Sequence, residues 1–66
     1  MLVNSKNKIQ DKVALYEGKI LDISYGDDSV SPYFLIETSE GKTEVVYIND
    51  SNKDLKVGDE VIGYED

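Results

Sequence analysis

The chain carries fourteen carboxylates, seven lysines and five tyrosines but no histidine, cysteine or arginine, and that inventory limits its chemistry. The stretch with the clearest ligand spacing is Asp50-Ser51-Asn52-Lys53-Asp54. It copies the first five positions of a calcium loop, in which oxygen ligands alternate along a tight turn. The copy then fails, because Leu55 stands where the turn needs Gly and Val61 stands where a bidentate Glu is required. Asp, Asn and Ser collect in loops for a simpler reason, since their side chains hydrogen-bond nearby main chain. No metal and no other cofactor is expected. Catalysis falls to carboxylates, Lys, Tyr and Ser, and no spacing unites them. Asp59 and Glu60 are adjacent on a strand pattern, so they point to opposite faces and do not converge on one reacting atom. The five glycines are scattered and none opens a helix, which leaves no phosphate cradle. Asn49-Asp50-Ser51 has the form of a glycosylation acceptor, which has meaning only on a secretory route. The expectation is that the protein is not an enzyme.

The tyrosines offer a different chemistry. Tyr supplies large, stiff, amphipathic contact area and is enriched at protein interfaces. Tyr25, Tyr33, Tyr47 and Tyr64 are expected to be exposed, and with Glu37, Glu44, Asp59 and Glu60 they are expected to form one acidic, aromatic-studded face that binds a protein. The charge supports that choice of partner. Residues 1–33 carry four lysines against five acids, and the remainder carries three lysines against nine acids, so most of the net −7 sits in the C-terminal half. Such a field repels phosphate backbones and attracts a basic surface, with an attraction that salt weakens. A plainer account remains: Tyr suits half-buried strand positions, and surface acids keep a small β protein in solution.

These residues are positioned by strands. Tyr33 to Ile48 comprises two apolar runs rich in β-branched and aromatic residues joined by Ser39-Glu40-Gly41-Lys42, which predicts a β-hairpin whose register is set by Gly41 in the left-handed conformation. Before it, Val13 to Tyr25 is long enough for one bent strand. Ala14, Tyr16, Gly18 and Ile20 share one parity while Leu21, Ile23 and Tyr25 share the other, which predicts a bulge between Gly18 and Leu21. Gly26 to Pro32 is a loop. Asn49 to Asp54 is a polar connection in which Ser51 or Asn52 is expected to cap a single turn, and Lys56 to Glu60 turns the chain into a last strand, Val61 to Tyr64. Residues 1–11 are expected to be a flexible arm or an edge strand, and 12–66 a single small β-barrel domain. The expected core is Leu15, Ile20, Ile23, Phe34, Ile36, Val46, Ile48, Leu55, Val57 and Val61. A chain this short buries only about 60 % of its unfolded surface, so a homo-oligomer stays open as a source of stability.

Two of these pieces, Glu17-Gly18-Lys19-Ile20-Leu21-Asp22-Ile23 and Leu55-Lys56-Val57-Gly58-Asp59-Glu60-Val61, resemble the first strand and the start of the last strand of small OB-fold domains of the ribosomal RNA-binding type. The Gly-x-Ile-x-x-Ile spacing and the Val-Gly-Asp-Glu-Val turn are similar to those of Src-homology-3-like barrels as well. The resemblance implies an all-β protein, a small antiparallel β-barrel or strongly bent sheet of four to five strands, OB-like or SH3-like. Nucleic-acid-binding members of the OB class use aromatics set among basic residues. Here the residues between the aromatics are mostly acids, which argues against nucleic acid as ligand.

The leading expectation is a non-enzymatic acidic interaction module that binds a protein with a basic surface, as an inhibitor that mimics nucleic-acid charge. The alternatives are a single-stranded nucleic-acid-binding domain of OB type and a symmetric oligomer that sequesters a small ligand or nucleotide. No apolar run approaches the ~20 residues of a membrane span, and the N-terminus lacks the apolar centre of a secretory signal, so a cytoplasmic location is expected.

Overall fold

The computed structural model describes residues 1–65. Five strands, β1 (Leu2–Asn4), β2 (Ala14–Ser24), β3 (Tyr33–Thr38), β4 (Thr43–Tyr47) and β5 (Glu60–Tyr64), form one antiparallel sheet in the order β1-β5-β2-β3-β4. The sheet is bent and does not close, so β1 and β4 are its edges. Among the described residues the protein is all-β, apart from a single 3-10 turn at Ser5–Asn7 that follows β1. No helix among the described residues is long and apolar enough to cross a membrane.

The bend belongs to β2. Its residues 14–19 pair with β5 and its residues 18–24 pair with β3, so Gly18 and Lys19 are bonded on both sides while the strand passes from one partner to the other. Two register shifts accompany the turn, one between Ile20 and Asp22 and one between Ala14 and Tyr16. The first is the predicted bulge. The extra residues, Leu21 and Leu15, are both exposed, as expected of residues left out of the ladder. Gly18 permits the close approach of β3: a Cβ built there would lie 2.3 Å from the carbonyl oxygen of Glu37.

The β3–β4 hairpin forms as its sequence predicts. Gly41 has φ +79°, and its N–H donates to the carbonyl of Thr38 at 2.9 Å. The Thr38 N–H donates to Lys42 O at 2.7 Å, while Lys42 N–H reaches the buried Thr38 hydroxyl at 3.1 Å. Ser39 N–H donates to Glu17 O at 2.9 Å, tying the tip of the hairpin to β2.

The core is a cluster of Leu2, Ile20, Phe34, Ile36 and Val61, with Tyr16, Ile23, Val46, Ile48 and Leu55 packed against it. Two expected members are corrected. Leu15 is 61 % exposed because it occupies a bulge, and Val57 is 54 % exposed because it projects from a tight turn in which Asp59 N–H donates to Lys56 O at 3.0 Å. Leu2, in the segment expected as an arm or an edge strand, takes a core place by pairing opposite Gly63.

Two substitutions separate the close approach from the turn. Gly18→Ala drives a side chain into main chain that cannot move away, and it is expected to cost about 3 kcal/mol, the upper end for overpacking. Gly41→Ala meets open space and pays only for the left-handed conformation, about 1–2 kcal/mol. Urea unfolding of both variants checks the order of the two losses.

Candidate functional site

The register sorts the expected site residues by face, because residues opposite one another in an antiparallel pair share a side of the sheet. Phe34 and Ile36 on β3 are in the core, so their partners Val46 and Glu44 lie on the core side, and Tyr33, Leu35 and Glu37 point outward with their partners Tyr47, Val45 and Thr43. On β2, Ser24 pairs with Tyr33, Asp22 with Leu35 and Lys19 with Glu37. The outward face of these three strands therefore consists of three rows: Ser24–Tyr33–Tyr47, Asp22–Leu35–Val45 and Lys19–Glu37–Thr43. The third row continues into β5, where Glu60 pairs with Lys19.

The hydrogen bonds fix how closely the rows pack. Ile48 N–H donates to Pro32 O at 3.0 Å and Thr38 N–H to Lys42 O, so the even-numbered positions of the hairpin exchange its hydrogen bonds. Tyr33–Tyr47 and Leu35–Val45 are then non-hydrogen-bonded pairs, the type in which Cα atoms approach to about 4.5 Å and side chains touch most closely. They make an apolar ridge on the outside of the sheet. Tyr47 is 62 % exposed and Tyr25, which follows Ser24 at the same end of the sheet, is 84 % exposed. Val45 and Leu21 are exposed beside them.

The eight expected site residues do not share one face. Tyr33, Glu37 and Tyr47 do, with Tyr25 at its end and Glu60 on the far side of Lys19. Glu44 faces the other way, and its charge acts on Tyr16: burial first and Glu44 second push that phenol above its ordinary value of 10.0. Asp59 is occupied by the turn before β5, where its carboxylate accepts the N–H of Lys56 at 2.9 Å.

Tyr64 is a correction. It is 3 % exposed, not a surface ring. Its place alternates with Gly63, so it points away from the core cluster, but the segment after the 3-10 turn covers it. The N–H of Ile9 donates to the Tyr64 hydroxyl at 2.9 Å, the hydroxyl donates to Ile9 O at 3.4 Å, and Lys12 Nζ donates to Glu65 O at 2.8 Å.

The loops on either side of the ridge use their polarity on themselves. In the stretch that copies half a calcium loop, the cap is Asn49 and not Ser51 or Asn52: its Oδ1 accepts Ser51 N–H at 2.9 Å, Ser51 Oγ at 2.6 Å and Asn52 N–H at 3.2 Å. Asn52 is buried, accepting from Asn49 N–H at 2.9 Å and donating to Tyr47 O at 3.2 Å. The loop is thereby pinned to the end of β4. Lys53 and Asp50 form an ion pair at 3.9 Å between exposed groups. The chain has no match among family models, curated proteins or solved structures.

The loop after Tyr25 is held by Asp27. Its carboxylate accepts Ser29 N–H at 2.8 Å, Ser29 Oγ at 3.0 Å and Val30 N–H at 2.9 Å. These bonds, the Ser29 N–H foremost, hold its carboxyl below the ordinary 3.8. A carboxyl lowered in the folded state stabilises the fold above its unfolded value and loses that contribution as pH falls through the lowered one. Amide exchange at Ser29 and Val30 is therefore expected to be constant from neutrality to about pH 4, beyond its intrinsic pH dependence, and to accelerate below it. Asp27→Asn removes the acid step; an identical profile in that variant shows the loop to be held by something else.

Proposed function

We infer that the protein is a non-enzymatic interaction module of the cytoplasm that binds another protein through that partner's basic, nucleic-acid-binding surface, its carboxylates standing in for phosphates. The observation that carries this reading is an outward apolar ridge, with Val45 and Tyr47 exposed and Tyr33 and Leu35 half-buried beside them, set in a surface of net charge −7 with no arginine. A ridge of this kind supplies the aromatic anchors that dominate interface energies. The acids around it supply long-range attraction and choice of partner. Asp22 borders the ridge on β2, and Glu37 and Glu60 flank Lys19 at its lower end, so Lys19 is outnumbered there. The strand order, a β2–β3–β4 meander with β5 inserted between β1 and β2, favours the SH3-like over the OB-like alternative as architecture. Architecture by itself does not select a partner.

Binding to poly-lysine, used as a probe of basic surface, is expected to weaken by roughly tenfold or more between about 0.05 M and about 0.3 M salt. Tyr47→Ala is expected to cost about 2 kcal/mol of affinity for a folded basic partner, the scale of an interface anchor. Affinity indifferent to salt, or retention of the protein on single-stranded DNA at physiological salt, overturns the reading.

A further inference from the structure

The hairpin register also determines what the free edge of β4 offers. Even-numbered residues of β4 bond to β3, so the main-chain groups of Thr43, Val45 and Tyr47 point away from the sheet. The carbonyl of Tyr47 is taken by the buried Asn52 side chain. Among the described residues, the N–H and C=O of Thr43 and Val45 and the N–H of Tyr47 have no partner across that edge. The other edge is different: β1 has three residues and runs directly into a 3-10 turn in which the Asn4 side chain accepts the N–H of Lys6. β4 has five residues, Thr-Glu-Val-Val-Tyr, with no proline and no bulge. An open edge of this kind is a template for a further strand.

We propose that β4 is the docking edge, and that its occupant is an extended segment of a basic partner, added antiparallel as a sixth strand. This rests on the reading above and names how the partner is held. The sequence of the occupant follows from the register. Residues opposite Val45 and Tyr47 lie on the outward face and extend the Leu35–Val45 and Tyr33–Tyr47 rows, so they are apolar. The residue opposite Glu44 lies on the other face beside an exposed carboxylate, so it is Lys or Arg. The segment thus alternates apolar and basic residues. A second copy of this chain is a poor occupant, because it brings its own net −7 to the same edge.

The probe is the heptapeptide Lys-Val-Lys-Val-Lys-Val-Lys with blocked ends, titrated at low salt into the full chain. In an antiparallel ladder the residues bonded to β4 are those opposite Thr43, Val45 and Tyr47, which are the valines of the probe. N-methylation of the valine amides is expected to weaken binding by about tenfold or more, whereas N-methylation of the lysine amides changes it less than about threefold. In the protein, Val45→Pro removes an N–H that bonds nothing within the sheet and is expected to abolish binding with the hairpin cross-peaks retained. Glu44→Lys is expected to weaken the probe while leaving its N-methylation pattern unchanged.

Salt-sensitive binding in which both N-methylated probes equal the parent overturns strand addition and leaves the acidic-module reading standing. Failure of both the heptapeptide and poly-lysine to bind at low salt overturns the two together. A dimer of the chain alone, dissociated by Val45→Pro, overturns the proposal in favour of a second copy.

Discussion

β2 hydrogen-bonds to two different strands on two halves of its length, and the orientation of every outward-facing residue depends on how it passes from one to the other. At Gly18 and Lys19 it is bonded to β5 and β3 together, and there the two halves of the sheet must agree. A side chain at Gly18 would collide with β3 main chain, so the sheet bends around a position with no Cβ. The bend is accompanied by one extra residue on each side, Leu15 and Leu21. The register shift at Leu21 sets Asp22 against Leu35 and Ser24 against Tyr33, and it thereby decides which of the β2 side chains border the outward ridge.

Polar groups hold the segments at the two ends of the ridge. Among the described residues the buried polar ones are Thr38 and Asn52, and both have their hydrogen bonds. Thr38 closes the tip of the hairpin at one end of β4, and Asn52 holds the loop that leaves the other end. A buried amide or hydroxyl that lost these partners would cost about 1–3 kcal/mol, a large share of the stability of so short a chain. The two residues thus fix the length of the exposed edge as well as the shape of the loops.

Local alternation made most of this arrangement legible. The hairpin followed from Gly41 between two β-branched runs, and the bulge followed from the change of parity at Ile20 and Leu21. Once the turn is placed, the register is arithmetic: Tyr33, Glu37 and Tyr47 share a face and Glu44 does not, so the division of the acids was within reach of the sequence. What alternation could not supply was the third dimension. Leu15 has the right residue type for a core position but the opposite parity to its neighbours Tyr16 and Gly18, and a second bulge, unmarked by any glycine or proline, leaves it outside the ladder. Tyr64 occupies an outward position by parity and is buried because Ile9, fifty-five residues away in sequence, returns over it. Leu2 enters the core through a pairing with Gly63, a contact equally remote in sequence. Asn49 rather than Ser51 or Asn52 capped the loop, since Asn52 is drawn inward by the carbonyl of Tyr47.

An acidic body with an apolar open edge poses a physical question, because unpaired strand edges invite self-association. Other proteins blunt such edges with proline, bulges or a covering loop, and β4 has none of these. Charge can do the same work over a defined distance. At physiological ionic strength the screening length is about 8 Å, so two copies of this chain feel little of each other until their surfaces nearly touch. The repulsion then acts during the final approach, the range in which edge hydrogen bonds would have to form. A segment carrying the opposite charge meets attraction over that same distance and the same row of unpaired amides. On the proposed reading, the excess of carboxylates and the unprotected edge are two parts of one arrangement, in which electrostatics selects what the main chain, indifferent to sequence, would otherwise accept.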